Sequence, residues 1–110
     1  MLVVDLSQVV SMKNLQELYE RVRKLSGFED DSFPCVLVGN KADLFSNNSS
    51  KRQITLGEMR DWADKCRASS KEKIDAVEVS ARTKVGVIKA FEKLIEKFIR
   101  RYIREYMSSL

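Results

Sequence analysis

At 110 residues, 44% of them hydrophobic, the chain can build one small core with little margin for a second; it has no run of eighteen apolar residues, and its apolar start MLVV is closed by Asp5, so neither a membrane span nor a secretory leader is read and a soluble, cytoplasmic protein is expected. There is no histidine, and Cys35 and Cys66 lack CxxC spacing, so a zinc site and a cysteine–histidine nucleophile pair are excluded and both thiols read as buried or incidental. The net charge of +4 is carried whole by residues 84–107, where seven basic residues stand against three acidic ones; the rest is balanced, and no nucleic-acid partner is expected.

Residues 2–6 (LVVDL) form an apolar run, interrupted by Asp5, that suits a buried strand. Ser11 is placed to cap a helix whose apolar positions Leu15, Leu18, Tyr19, Val22 and Leu25 recur at helical spacing. Gly27 and the acidic stretch ending at Pro34 read as a loop, and the following CVLVG is a continuous apolar run that suits a strand covered on both faces. After the polar loop FSNNSSKRQ, Thr55 and Glu58 have capping-box spacing, and Met59, Trp62, Ala63 and Cys66 lie on one helix face. The segment AVEVS predicts a third strand. A long helix follows, with Val85, Ile88, Phe91, Leu94, Ile95, Phe98, Ile99, Tyr102 and Ile103 on its apolar stripe. Trp62 and the aromatic residues of this last helix are expected in the core. The order βαβαβα predicts a three-layer α/β fold, a parallel sheet with helices packed on its faces.

Such sheets bind ligands beyond the carboxyl ends of their strands. Asn40, Lys41 and Asp43 follow the second strand and Ser80, Ala81 and Arg82 follow the third, so both clusters are expected on one edge. Guanine offers an N1–H and an exocyclic amine side by side, next to a carbonyl. A carboxylate such as Asp43 accepts from both donors, a backbone N–H near Ala81 can serve the carbonyl, Asn40 can tie the loops together or reach the base, and the stem of Lys41 can lie along the purine face. Adenine lacks the donor pair and would leave the carboxylate unsatisfied.

Here the sequence resembles the Ras-like small GTPases. NKAD, residues 40–43, is similar to the NKxD guanine-specificity motif, and VEVSARTKVGVIKAFEKLI, residues 77–95, resembles the SAK motif and the helix after it, with Arg82 where lysine is usual. The resemblance covers residues 2–103 and matches the carboxyl-terminal part of that fold. It implies a guanine-binding set of Asn40, Lys41, Asp43, Ser80, Ala81 and Arg82, GTP or GDP as ligand, and a role in a signalling switch. The phosphate loop GxxxxGK[ST], the switch threonine and DxxG do not occur: none of Gly27, Gly39, Gly57 and Gly86 fits them. Residues 1–110 are therefore expected to form a single partial G domain that does not hydrolyse GTP unaided and meets Mg2+ only if the missing part is supplied. In the family the lysine matching Lys41 also braces the phosphate loop, so it is expected to lose one partner.

If the fold is the one resembled, the strand from Leu2 to Leu6 normally pairs with a strand that is missing here, leaving an open edge for a protein partner, a complementary fragment or a homodimer. The alternative function is a non-catalytic interaction module acting through that edge or through the basic last helix. That helix, residues 84–107, also permits peripheral contact with an anionic membrane. The ending MSSL lacks a prenylatable cysteine, so no lipidation is expected.

Overall fold

The three apolar runs form strands and the three amphipathic stretches between and after them form helices. The computed structural model describes residues 1–26, 33–42 and 53–110; Asp43, the expected loop at residues 27–32 and most of FSNNSSKRQ lie outside the described residues. The elements are β1 (Leu2–Asp5), α1 (Val9–Ser26), β2 (Val36–Asn40), α2 (Leu56–Cys66), β3 (Asp75–Glu78) and α3 (Val87–Ser108). The sheet has three strands in the order β1-β2-β3, all parallel, with Leu2 beside Leu37, Asp5 beside Asn40, and Gly39 beside Glu78.

Alternation along the strands divides the core into two layers. Leu2, Val4 and Leu37 face α1 and α2 and pack with Leu6, Leu15, Tyr19, Phe33, Met59 and Ala63. Val36 and Val38 face the other way, against Val79, Ala90, Val87 and Leu94. β2 is thus covered on both sides, as its unbroken apolar run requires. Each such side chain removed from water contributes on the order of 1.5–3 kcal/mol.

The start of α1 differs from expectation. The helix begins at Val9, so Ser11 lies inside its first turn, and its hydroxyl accepts the Asp5 N–H at 3.3 Å. The Asp5 carboxylate organises this turn: its Oδ1 accepts from the Ser7 N–H at 2.9 Å and the Ser7 hydroxyl at 2.6 Å. Ser11 thus serves the end of β1 rather than the start of α1, while Asp5 closes a turn on the residue two places after it. Of the expected stripe, Leu15 and Tyr19 are buried and Val22 packs on the core, whereas Leu18 and Leu25 are exposed. Leu18 falls on the flank of α1 that overhangs β1, lining a groove with Val3.

The cap of α2 is as expected: Thr55 Oγ1 accepts the Glu58 N–H at 3.1 Å. Trp62 packs against the core and meets Tyr19 edge-on, with centroids 5.7 Å apart. Just beyond α2, Arg67 is fully buried. Its guanidinium donates to Tyr19 Oη at 2.7 Å, Glu72 O at 2.9 Å and Phe33 O at 2.9 Å, and lies 4.7 Å from the Phe33 ring centroid.

The last helix corrects the second expectation. Its buried face is formed by Ala90 and Lys97, with Leu94 and Val87 beside them. The Lys97 ammonium donates to Lys73 O at 2.6 Å and lies 3.5 Å from Asp75 Oδ2, and Arg104 pairs with Glu72. These polar anchors hold α3 over β2 on the side toward β3. The expected stripe consequently turns away: Ile88, Phe91, Ile95, Phe98, Ile99, Tyr102 and Ile103 are each more than half exposed, so the aromatic residues of this helix are not core. Val3, which shares a sheet face with Val38, is 53% exposed on the same side.

Replacing Arg67 by Met removes three donors and leaves two main-chain carbonyls and a tyrosine hydroxyl without them; we expect a loss of roughly 2–4 kcal/mol in urea unfolding. Burial raises the Glu72 carboxyl, but the Arg104 hydrogen bond and the charges of Arg104, Arg100 and Lys97 outweigh it and hold the group below its ordinary 4.5. A depressed folded-state value means the contribution is complete above the unfolded-chain range and is lost as pH falls through the depressed value. Glu72→Gln should therefore lower Tm at pH 7 by roughly 2–6 °C, the partner being half exposed, and the difference should vanish near pH 2 in circular-dichroism melts.

Candidate functional site

Strand β2 ends in a position only glycine fills. A Cβ on Gly39 would come within 2.7 Å of Leu6 Cδ2 and 2.9 Å of Met59 Sδ, so the backbone there runs hard against both neighbours. Asn40 follows as the last strand residue, and its carbonyl accepts the Leu6 N–H at 3.2 Å. Lys41 then adopts the left-handed region, with φ of 73°, turning the chain out of the sheet plane.

The loop after β3 is laced to this end. The Val79 N–H donates to Gly39 O at 2.8 Å, and the Ala42 N–H donates back to Val79 O at 3.1 Å. Asn40 Oδ1 accepts the Ala81 N–H at 3.0 Å, a side-chain bridge across 41 residues of sequence. Ser80 is buried; its N–H donates to Val85 O and its hydroxyl accepts the Thr83 N–H, both at 3.0 Å. Lys84 and Gly86 both take positive φ, and a Cβ on Gly86 would meet Glu78 O at 2.7 Å, which fixes the tight return into α3.

Of the six residues singled out from sequence, Asn40, Ser80 and Ala81 are thus brought together in one hydrogen-bonded unit. Arg82 is exposed on the same loop, and Asp43 lies outside the described residues. The Ala81 N–H, expected to serve a base carbonyl, is engaged here by Asn40, so the amide carries out the loop-tying role. Lys41 Nζ lies 2.7 Å from Asp5 Oδ2. Burial raises the Asp5 carboxyl, but the Lys41 ammonium and the two Ser7 donors outweigh it and hold the group below its usual range. Asp5 was not among the residues singled out from sequence, although a charge closing an apolar strand beside Asn40 is a legible signal.

Among the described residues no cluster of cysteine, aspartate or glutamate could hold a metal ion, and no helix is long and apolar enough to cross a membrane. Grooves lined by Val3, Asn14 and Leu18, and by Tyr19, Trp62 and Cys66, lie beside α1 rather than at the laced loops.

The Ras family model matches residues 1–100. Ras-related protein R-Ras of Mus musculus is 30% identical over 95 residues, a region that takes in 86% of this chain and 38% of the relative. The chain therefore spans less than two fifths of that protein's length. A parallel sheet whose second and third strands bring Asn40 and Ser80 to one edge agrees with a family match over nearly the whole sequence: the chain belongs to the Ras family.

Proposed function

We propose that residues 1–110 are a partial G domain, the base-reading part of a Ras-like signalling switch, binding GTP or GDP through Asn40, Lys41, Asp43, Ser80, Ala81 and Arg82. The observation that carries this reading is the Asn40–Ala81 bridge. It ties the segment after β3 to the last residue of β2 before any base arrives, so Asn40 and Ala81 are held side by side in advance. Asp43 supplies the bidentate acceptor for the N1–H and exocyclic amine, and guanine is selected because adenine would leave that carboxylate without donors.

No phosphate loop, switch threonine or DxxG occurs in the sequence. Phosphoryl transfer depends on positioning and neutralising phosphates, so hydrolysis and Mg2+ binding belong to an assembled domain rather than to these residues.

A second reading, that of an interaction module, is favoured by the stripe on α3. A contiguous apolar surface of several hundred Å² marks an interaction site, and Phe91, Phe98 and Tyr102 alone present on the order of 100 Å² each. We take its occupant to be the remainder of a Ras-family G domain, since the match takes in only 38% of the length of mouse R-Ras. The charge pattern opposes an anionic lipid. Glu92 and Glu96, one turn apart, border the stripe beside Ile88, Ile95 and Ile99, and Lys89, Lys93 and Arg100 follow on the same flank, one step farther from the stripe. A membrane meeting the apolar face would meet those carboxylates first.

Fluorescence anisotropy with N-methylanthraniloyl-GDP should show saturable binding that GDP competes and ADP does not; Asp43→Ala should cut the preference for guanine over adenine by about a hundredfold or more. Native mass spectrometry of the chain mixed with a Ras-family fragment bearing the phosphate loop and switches should show a one-to-one complex with GDP-sized added mass. A homodimer, or binding to anionic vesicles without such a complex, would overturn the assigned occupant.

A further inference from the structure

The two oxygens of the Asp5 carboxylate have separate partners. Oδ1 is held by the Ser7 N–H and hydroxyl at 2.9 and 2.6 Å, and Oδ2 faces the Lys41 ammonium at 2.7 Å. The backbone of Asp5 is fixed as well, by the Ser11 hydroxyl on its N–H and by its register beside Asn40. A carboxylate tied on one side and aimed at a lysine on the other is a preset receptor for that lysine. Lys41 needs one: its backbone sits at a φ of 73°, a conformation that costs a residue with a side chain, and its long stem has much rotamer freedom to lose.

We propose that Asp5 is a positioning residue of the base-reading site. By holding the Lys41 ammonium at the end of β1, it confines the lysine stem at the mouth of the laced loops, so that a purine meets an ordered wall. This role rests on the guanine-binding reading of NKAD. It assigns the Lys41 ammonium an internal partner, supplied by the first strand of this chain rather than by a phosphate loop. The pair is part exposed, with the Lys41 side chain 49% and the Asp5 side chain 27% accessible, so the effect is one of ordering and is modest in size.

The test is a double-mutant cycle on the full chain, with N-methylanthraniloyl-GDP as probe at low salt. Asp5→Asn keeps an acceptor for Ser7 and removes the charge; Lys41→Met keeps a stem and removes the ammonium. Each single change is expected to raise Kd about fivefold, and Asp5→Asn should add nothing once Lys41 is Met. A merely structural Asp5 would give the same loss in both backgrounds, which would overturn the proposal.

Carbon-13 NMR of the Asp5 carboxyl in the nucleotide-free chain supplies a second readout, in which Lys41→Met should move its titration upward. Should Asp5→Asn fail to fold, an upward titration shift with Kd unchanged in Lys41→Met overturns the role. Wild-type chain that binds no guanine nucleotide overturns the functional reading and the role together, whereas binding with additive losses overturns the role of Asp5 alone.

Discussion

Everything at the candidate site depends on the position of β2. Among the described residues it is the only strand flanked on both sides, and its side chains are buried on both faces, so its register fixes what lies at its carboxyl end. A one-residue slip would exchange Leu37 with Val36 and Val38 across the sheet and carry the whole apolar set to the wrong layers. The register that satisfies both layers sets Asp5 against Asn40 and Gly39 against Glu78. The polar cluster is therefore a by-product of core packing: where the apolar run stops, three chain segments emerge side by side. Gly39 sharpens the effect, since its missing side chain lets Leu6 and Met59 close over the strand just before it turns.

Electrostatics divides its labour between the two halves of the fold. On the β3 side, Lys97, Asp75, Arg104 and Glu72 fasten α3 to the segment before the strand. On the β1 side, Asp5, Ser7, Ser11 and Lys41 organise the turn into α1 and the end of β2. The first group fixes where a helix lies and the second fixes where a lysine lies. Each ion pair retains contact with solvent, which suits groups whose work is orientation rather than bulk stability.

Much of this was legible in residue order, for local reasons. Thr55 and Glu58 mark a helix start because capping chemistry acts over three residues, and CVLVG marks a doubly covered strand because burial on both faces needs an unbroken apolar run. That Asn40 and Ser80 emerge at one edge followed from the parallel direction of the strands. Arg67 was not legible, since Tyr19 and Phe33 are distant in sequence and two of its acceptors, Phe33 O and Glu72 O, are main-chain carbonyls, which every residue carries. Ser11 misled because its hydroxyl serves a donor in the strand before it, the Asp5 N–H, and the helix starts two residues earlier. The α3 stripe misled for a deeper reason: periodicity tells which residues share a face, and it is silent on whether that face has a neighbour. Ala90 and Lys97, a small residue and a charge, are what the sheet receives.

The two cysteines occupy very different surroundings. Cys35 sits at the entry to β2, buried among Leu2, Phe33 and Ile74, and burial pushes its thiol above the ordinary range. Cys66 lies at the last turn of α2, only partly covered. Thiolate chemistry follows access and ionisation, so a maleimide or iodoacetamide label will partition to Cys66 and leave the strand untouched. The chain thus carries a native attachment point on α2, beside Trp62, where a fluorophore can be placed without altering the sequence.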